Sequence, residues 1–293
     1  MTAVTATTPT VLKAGLIQMR SGRDVERNLA DAEGFIREAA DHGATYIQTP
    51  EVTVLMERER TRLFALTQAE ENNEALRRFA ALAAELRIWL HIGSMCIRLD
   101  ETQLANRAFV FAPDGTCVAR YDKIHMFDVT LPGGESYKES KRFKAGTQIV
   151  NVTMPWGKLG VTICYDLRFP HVYRTLARAG AHVLTAPSAF TKKTGEAHWH
   201  ALLRARAIEC GAFVLAAAQG GRHENGRDTY GHSLAVSPWG EVLAEGLTEP
   251  GVIMVDLDLS AVEAARRQIP SLDHDRPFEV VERAHPDAKR AAS

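Results

Sequence analysis

A short apolar run rich in β-branched residues, Leu159 to Ile163, stops at Cys164-Tyr165-Asp166, and a helical pattern resumes near Phe169 with Pro170 placed for a first helical turn. Such a stretch reads as a buried strand that meets a helix at a sharp corner. A thiol stands at that corner. Backbone N–H groups from Tyr165 onward are free there to meet an oxyanion. The corner suits a nucleophile. It equally suits a small core residue closing a strand, because free cysteine is among the most buried residue types.

The remainder of the chain repeats the same grammar. Val11 to Met19 reads as a strand, and Asp24 is placed to cap a helix with Leu29, Ala32, Phe35, Ile36 and Ala39 at helical spacing, ending near Gly43. Ala44 to Gln48 is a second strand, running into Thr49-Pro50-Glu51. Leu76, Phe79, Ala80, Leu82, Ala83 and Leu86 mark a helix before the strand Trp89 to Met95. Pro113-Asp114-Gly115 turns a hairpin between Arg107–Ala112 and Thr116–Tyr121. Thr130 to Lys144, with Glu135 and Glu139, is long for an idle connection and reads as a binding loop or lid.

Beyond the cysteine corner come a helix over 170–178, a strand over 182–186, a loop ending at Thr194-Gly195, a helix over 196–209 and a strand over 213–218. Another hairpin turns at Pro238-Trp239-Gly240. A last strand, 252–257, precedes a helix capped by Ser260. Strand-helix-strand thus occurs twice in each half. Such an α/β chain can bury two sheets against each other with helices outside.

Composition narrows the class. The 293 residues are 45% hydrophobic and 24% charged with a net charge of -1, so nothing draws the whole molecule to nucleic acid or an anionic membrane. No stretch has the apolar length of a membrane span. Residues 1–10 read as a loose leader without the regions of a secretory signal, residues 11–270 as a single domain, and 271–293 as a polar tail, placed to pack on a partner subunit. The four cysteines, Cys96, Cys117, Cys164 and Cys210, fit neither a zinc site nor a disulfide framework, and reduced thiols in the cytoplasm are expected.

A lone thiol is mostly protonated near neutral pH and needs a base, while acyl transfer also needs a cation or donors for the oxyanion. The eleven histidines are scattered without a distinguishing context. Glu51, Lys123 and Glu139 instead stand at strand ends or in the long loop, where each also reads as an ordinary solvated charge. Ser188 and Ser233 lack the Gly-x-Ser-x-Gly elbow of a serine hydrolase. His198 and His200 are two apart, so on a helix they face different sides, and no metal site is expected.

Thr49-Pro50-Glu51, Tyr121-Asp122-Lys123-Ile124-His125-Met126-Phe127-Asp128 and Ile163-Cys164-Tyr165-Asp166-Leu167-Arg168-Phe169-Pro170 together resemble the three catalytic blocks of the nitrilase, or carbon–nitrogen hydrolase, superfamily. Pro187 to Thr191, Ala197-His198-Trp199, Leu203 to Glu209 and Tyr230-Gly231-His232-Ser233 are similar to its Nit branch. Within it the chain most resembles the deaminated-glutathione amidases, with the ω-amidases next.

The resemblance implies a four-layer α-β-β-α sandwich, a homodimer or higher homo-oligomer, and a site without cofactor. Carried onto this chain, it makes Glu51 the general base, Lys123 the oxyanion stabiliser with the Tyr165 N–H, and Cys164 the nucleophile. Glu139 positions substrate and water. Arg168 meets a substrate carboxylate, although an arginine there also reads as a brace on Asp166. Phe190 and Thr194 line the pocket. The expected reaction is hydrolysis of a small linear amide through a thioester: deaminated glutathione first, α-ketoglutaramate or succinamate as the alternative. A non-catalytic binding protein on the same fold is the alternative of another class. His171 and His200 depart from the family pattern, and Gly220-Gly221-Arg222-His223-Glu224 keeps the general character of the corresponding segment without its cysteine.

Overall fold

The computed structural model describes residues 10–131, 134 and 136–283; nearly all of the expected leader, Glu135 and the end of the tail lie outside them. The first half runs β1 (Val11–Gln18), α1 (Val25–Asp41), β2 (Tyr46–Gln48), α2 (Arg60–Leu66), α3 (Glu74–Leu86), β3 (Trp89–Arg98), β4 (Leu104–Phe111) and β5 (Cys117–Asp122). A hairpin of β6 (Asp128–Thr130) and β7 (Ser136–Lys138) follows. The second half runs β8 (Val150–Met154), β9 (Gly157–Val161), α4 (Pro170–Arg178), β10 (Ala181–Thr185), α5 (Lys192–Cys210) and β11 (Phe213–Ala216). A second hairpin, β12 (Gly220–Arg222) with β13 (Asp228–Tyr230), then leads to β14 (Leu234–Val236), β15 (Val242–Glu245), β16 (Gly251–Asp258) and α6 (Ser260–Gln268).

Local chemistry sets most boundaries. The Asp24 carboxylate accepts the Arg27 N–H and starts α1, which buries Leu29, Ala32, Ile36 and Ala39. Two helix starts differ from the sequence reading. Thr191 caps α5 by accepting the Thr194 N–H, so Thr194 and Gly195 lie in its first turn and not in a loop. Leu259, not Ser260, occupies the cap of α6; Ser260 is helical, and its N–H is taken by the Asp258 carboxylate. The segment read as a long loop is folded into the β6–β7 hairpin and a short 3-10 turn, Glu139–Lys141.

Two six-stranded sheets form, in the orders β16-β1-β2-β3-β4-β5 and β15-β14-β11-β10-β9-β8. Period-two alternation sends Leu12, Ala14 and Leu16 of β1 into one apolar cluster with Val110, Val152, Leu159 and Val161, continuous with Leu176 and Leu203 of α4 and α5. A second cluster joins Ile17 and Ile47 to Leu29 and Ile36 of α1 and Phe79 and Leu82 of α3. Each such leucine-sized side chain contributes about 2 kcal/mol by leaving water. Helices therefore cover the outer face of both sheets, giving the four layers expected.

Strand direction gathers the site. β1, β2 and β3 are mutually parallel, β4 reverses, and β5 reverses again, so β2 and β5 end on the same side. β9, β10 and β11 are parallel in the other sheet. Glu51 follows β2, Lys123 follows β5 and Cys164 follows β9, all at carboxyl ends, where open parallel sheets place their ligands. Close approach of these ends requires Gly93: a Cβ there would lie 2.1 Å from the Thr49 carbonyl oxygen and 2.4 Å from Pro187 Cβ. Gly220 N–H to the Met19 carbonyl (2.8 Å) and Met19 N–H to the Ala218 carbonyl (3.2 Å) stitch the two halves beside them.

Candidate active site

Cys164 sits in the left-handed region, φ +48°, at the start of a 3-10 turn, Cys164–Arg168. A non-glycine residue is held there only where its surroundings over-determine it. The Cys164 N–H donates to the Pro187 carbonyl at 3.0 Å. Asp166, fully buried, accepts from the Ile163 N–H (3.0 Å), the Tyr121 hydroxyl (2.7 Å) and the His125 N–H (3.0 Å), with His125 Nδ1 at 2.7 Å. That carboxylate locks the cysteine corner to the segment carrying Lys123. It leaves Arg168 unpaired with it: Arg168 Nη1 lies 3.3 Å from His198 Nδ1, and its guanidinium lies over the Phe190 ring.

Lys123 is buried between two carboxylates. Its Nζ donates to Glu51 Oε1 at 2.8 Å and reaches Glu139 Oε2 at 2.9 Å and Oε1 at 3.0 Å. Glu51 Oε2 accepts the Ala189 N–H (3.0 Å), Glu139 Oε2 the Phe127 N–H (2.6 Å), and the Asn106 amide donates to both glutamates. The Cys164 thiol stands close enough to Glu51 for each to shift the ionisation of the other. The groups named in the three sequence blocks thus meet in one cluster.

The charges settle its resting protonation. Burial pushes the Glu51 carboxyl upward, but the Lys123 ammonium, the thiol and Arg227 outweigh it and hold it below the usual carboxylate range. Burial works against the Lys123 charge, yet Glu139 and Glu51 hold the ammonium firmly protonated. Burial and the negative charge of Glu51 push the thiol far up. Two carboxylates and one ammonium already sum to a net negative charge, so a resting thiolate would add a second in an enclosed space. The cluster therefore holds a neutral thiol against an ionised carboxylate.

A pH profile follows. Glu51 ionises below the ordinary value of 4.5 and Cys164 above the ordinary 9.0, so kcat/KM is expected to stay flat between these limits, with the acid limb below 4.5. Initial rates across that range check it, and a limb centred near neutrality would contradict the assignment.

These groups open into a cavity of about 460 Å³ lined by Cys164, Tyr165, Arg168, Phe190 and Thr194. Thr194 reaches it with its hydroxyl engaged by Thr191 (2.9 Å). The Tyr165 N–H lies in the first turn after the corner, where no intrahelical carbonyl precedes it. Cys96 also lines the cavity, its thiol pushed up to about 12 by burial. His171 packs edge-on to His125 and Phe169 outside the cluster.

Sequence reasoning missed Asn106, Asp166 as a lock, and Arg227. Asn106 is 2% exposed, mid-strand in β4, opposite Cys96 of β3. Its only signal was an amide beside Arg107 in a strand whose other residues are apolar. Arg227 lies over the Tyr137 ring and donates to the Ala189 carbonyl, while its buried Nε has no hydrogen-bond partner. It comes from the β12–β13 hairpin, and nothing in its local sequence marked it.

A thiol, a carboxylate and a buried ammonium at the carboxyl ends of an α-β-β-α sandwich define a class of carbon–nitrogen bond hydrolases. Residues 13–267 match the family described as carbon-nitrogen hydrolase, and the chain belongs to that family. It is an amide-hydrolysing enzyme of the nitrilase superfamily. Among curated proteins it is 39% identical to deaminated glutathione amidase of Bos taurus over 89% of this chain and 80% of that one. It is 36% identical to deaminated glutathione amidase of Yersinia enterocolitica over 89% and 92%.

Among solved structures, the C. elegans NitFhit protein aligns with a TM-score of 0.86 at 36% identity, covering 92% of this chain; this chain spans 66% of that one. A mutant amidase from Nesterenkonia sp. AN1, with acrylamide added at its active site cysteine, aligns with a TM-score of 0.74 at 25% identity, covering 88% and 98%.

Proposed function

We infer that the enzyme cleaves a linear amide carrying carboxylates at both ends, deaminated glutathione first, through a thioester on Cys164. The observation that carries this reading is the Cys164–Glu51–Lys123–Glu139 cluster opening into a cavity lined by cations at two places. Arg168 stands beside Phe190, and Arg58 and Arg227 flank Tyr137. The orphaned Arg227 Nε supports an anionic group there. About 460 Å³ is ample for an extended substrate and generous for α-ketoglutaramate alone. The names of the similar amidases support the same substrate.

Cys164 attacks the amide carbonyl as Glu51 takes the thiol proton, forming the carbon–sulfur bond. Lys123 and the Tyr165 N–H stabilise the oxyanion. Glu51 passes the proton to the leaving nitrogen, the carbon–nitrogen bond breaks, and the amine departs from a thioester. Water, positioned by Glu139, gives a proton to Glu51 as it attacks, and collapse of that intermediate returns the proton to sulfur and frees the acid. For deaminated glutathione the products are 2-oxoglutarate and Cys-Gly, and Arg168 holds the keto-acid carboxylate as a planar fork.

The test is a direct comparison of kcat/KM for deaminated glutathione and α-ketoglutaramate. A preference of more than about 10-fold for the former is expected, equivalent to about 1.4 kcal/mol in the transition state. Preference for α-ketoglutaramate would make the enzyme an ω-amidase, and no turnover with any amide would favour a binding role.

The described tail is pinned to its own chain as far as Asp275, which pairs with Arg174 and Arg178. Phe278, Val280 and Val281 beyond it are exposed, which supports seating of the tail on a second copy in a homodimer. Four unpaired cysteines support a cytoplasmic setting. No helix among the described residues is long and apolar enough to cross a membrane.

A further inference from the structure

Outside the cavity, three elements bring His200 of α5, His232 after β13 and Glu245 at the end of β15 together, with one donor atom of each within 4.8 Å of the others. His200 Nε2 lies 2.9 Å and His232 Nδ1 2.7 Å from the same oxygen, Glu245 Oε1. His200 is also where the sequence departs from the family pattern, and the amidase chemistry has no use for it. His198, its neighbour two residues earlier, turns instead to Arg168. We propose that His200, His232 and Glu245 form a binding site for a divalent transition-metal ion of the zinc type.

The donor set is two imidazoles and one carboxylate, which suits zinc and leaves one position for water. Two of the donors are held in place before any ion arrives. The His232 ring stacks on Tyr230 at 4.2 Å and 21° and meets the His200 ring edge-on at 5.8 Å. The His232 backbone is left-handed, φ +55°, with its N–H on the Leu247 carbonyl (2.7 Å) and its carbonyl accepting from Trp199 Nε1 (2.8 Å).

Burial pushes the Glu245 carboxyl up, but hydrogen bonds from His232 and His200 outweigh it and keep it ionised at neutral pH. Without metal, each ring nitrogen facing Glu245 carries its proton and donates. An ion takes the place of both protons, and each ring moves its hydrogen to its other nitrogen. Tetrahedral zinc with bonds of about 2.0 Å separates its ligand atoms by about 3.3 Å, so His200 Nε2 at 2.9 Å and His232 Nδ1 at 2.7 Å each move back from Glu245 Oε1 by a few tenths of an ångström. The site is partly exposed, open to an ion from solvent. Bound there, the ion clips α5 to the β14–β15 hairpin, which stabilises the fold and leaves amide chemistry unchanged.

The test titrates the chelator-treated full chain with Co²⁺ and then Zn²⁺. One equivalent of Co²⁺ with tetrahedral visible bands, displaced by Zn²⁺, is expected, together with a Tm that rises with Zn²⁺ concentration. His200→Gln and His232→Gln are each expected to weaken binding by more than the roughly 10-fold that loss of an outer-shell partner costs, and to retain wild-type kcat/KM. Alkylation of Cys164 is expected to leave the titration unchanged. No binding by about 1 mM, equal binding in a variant combining His200→Gln and His232→Gln, or loss of binding on alkylation would each overturn the proposal. If His232→Gln does not fold, His200→Gln decides alone.

Discussion

Cys164→Ala is expected to lower kcat/KM for amide hydrolysis by about 10⁴-fold or more while leaving the fold intact. The loss is large because Cys96, the other thiol that lines the cavity among the described residues, holds its proton up to about 12. The fold survives because alanine meets the same backbone requirement at φ +48°, and the Glu51–Lys123–Glu139 cluster keeps its partners. Two measurements check it. Steady-state rates report the loss. Intact mass after rapid acid quench should show an acyl adduct in the wild type and none in the variant. Undiminished turnover in Cys164→Ala would remove the thiol from the mechanism.

Lys123→Met carries the second large effect, on stability as well as rate. It leaves Glu51 and Glu139 facing each other, both sharing Asn106, with no cation between them. Breaking a buried pair from one side costs about 3–5 kcal/mol, and loss of the oxyanion stabiliser about 3 kcal/mol in the barrier. The pH dependence should invert. In the wild type the Glu51 pKa is depressed, so its contribution is complete above the ordinary 4.5 and is lost as pH falls through the lower folded value.

Without the ammonium, burial and the neighbouring carboxylate raise that pKa instead. The variant then gains stability by taking up a proton and loses it as pH rises through the raised value. Tm measured at about pH 5 and about pH 8 separates the cases. The variant should be the more stable at the lower pH. Lys123→Met combined with Glu51→Gln should recover most of the stability at the higher pH and none of the activity.

Much of this protein is legible in its sequence because the relevant physics is local. Periodicity placed α1, α3 and the parallel strands, and the cap at Asp24 is a matter of three residues. Glu51, Lys123 and Cys164 each stand just past a strand, but it was the resemblance of their three sequence blocks to a known family that singled them out. The start of α5 was misplaced because Thr191 caps it from within a stretch that reads as a loop. Asn106 and Arg227 were invisible for a different reason: each acts on partners far along the chain, Glu51 for the first and Ala189 for the second.

By itself the sequence determined most of the helices and sheet strands, though not Arg60–Leu66, Val150–Met154 or the two short hairpins, that a thiol ends one buried strand, and that a carboxylate and an ammonium stand at the ends of two others. Only the tertiary structure decided that all three ends point to one side of two facing sheets, since strand direction is set by pairing across the chain. It alone decided protonation as well. A thiol's pKa depends on what lies within a few ångströms of it, and Glu51 comes from the other sheet.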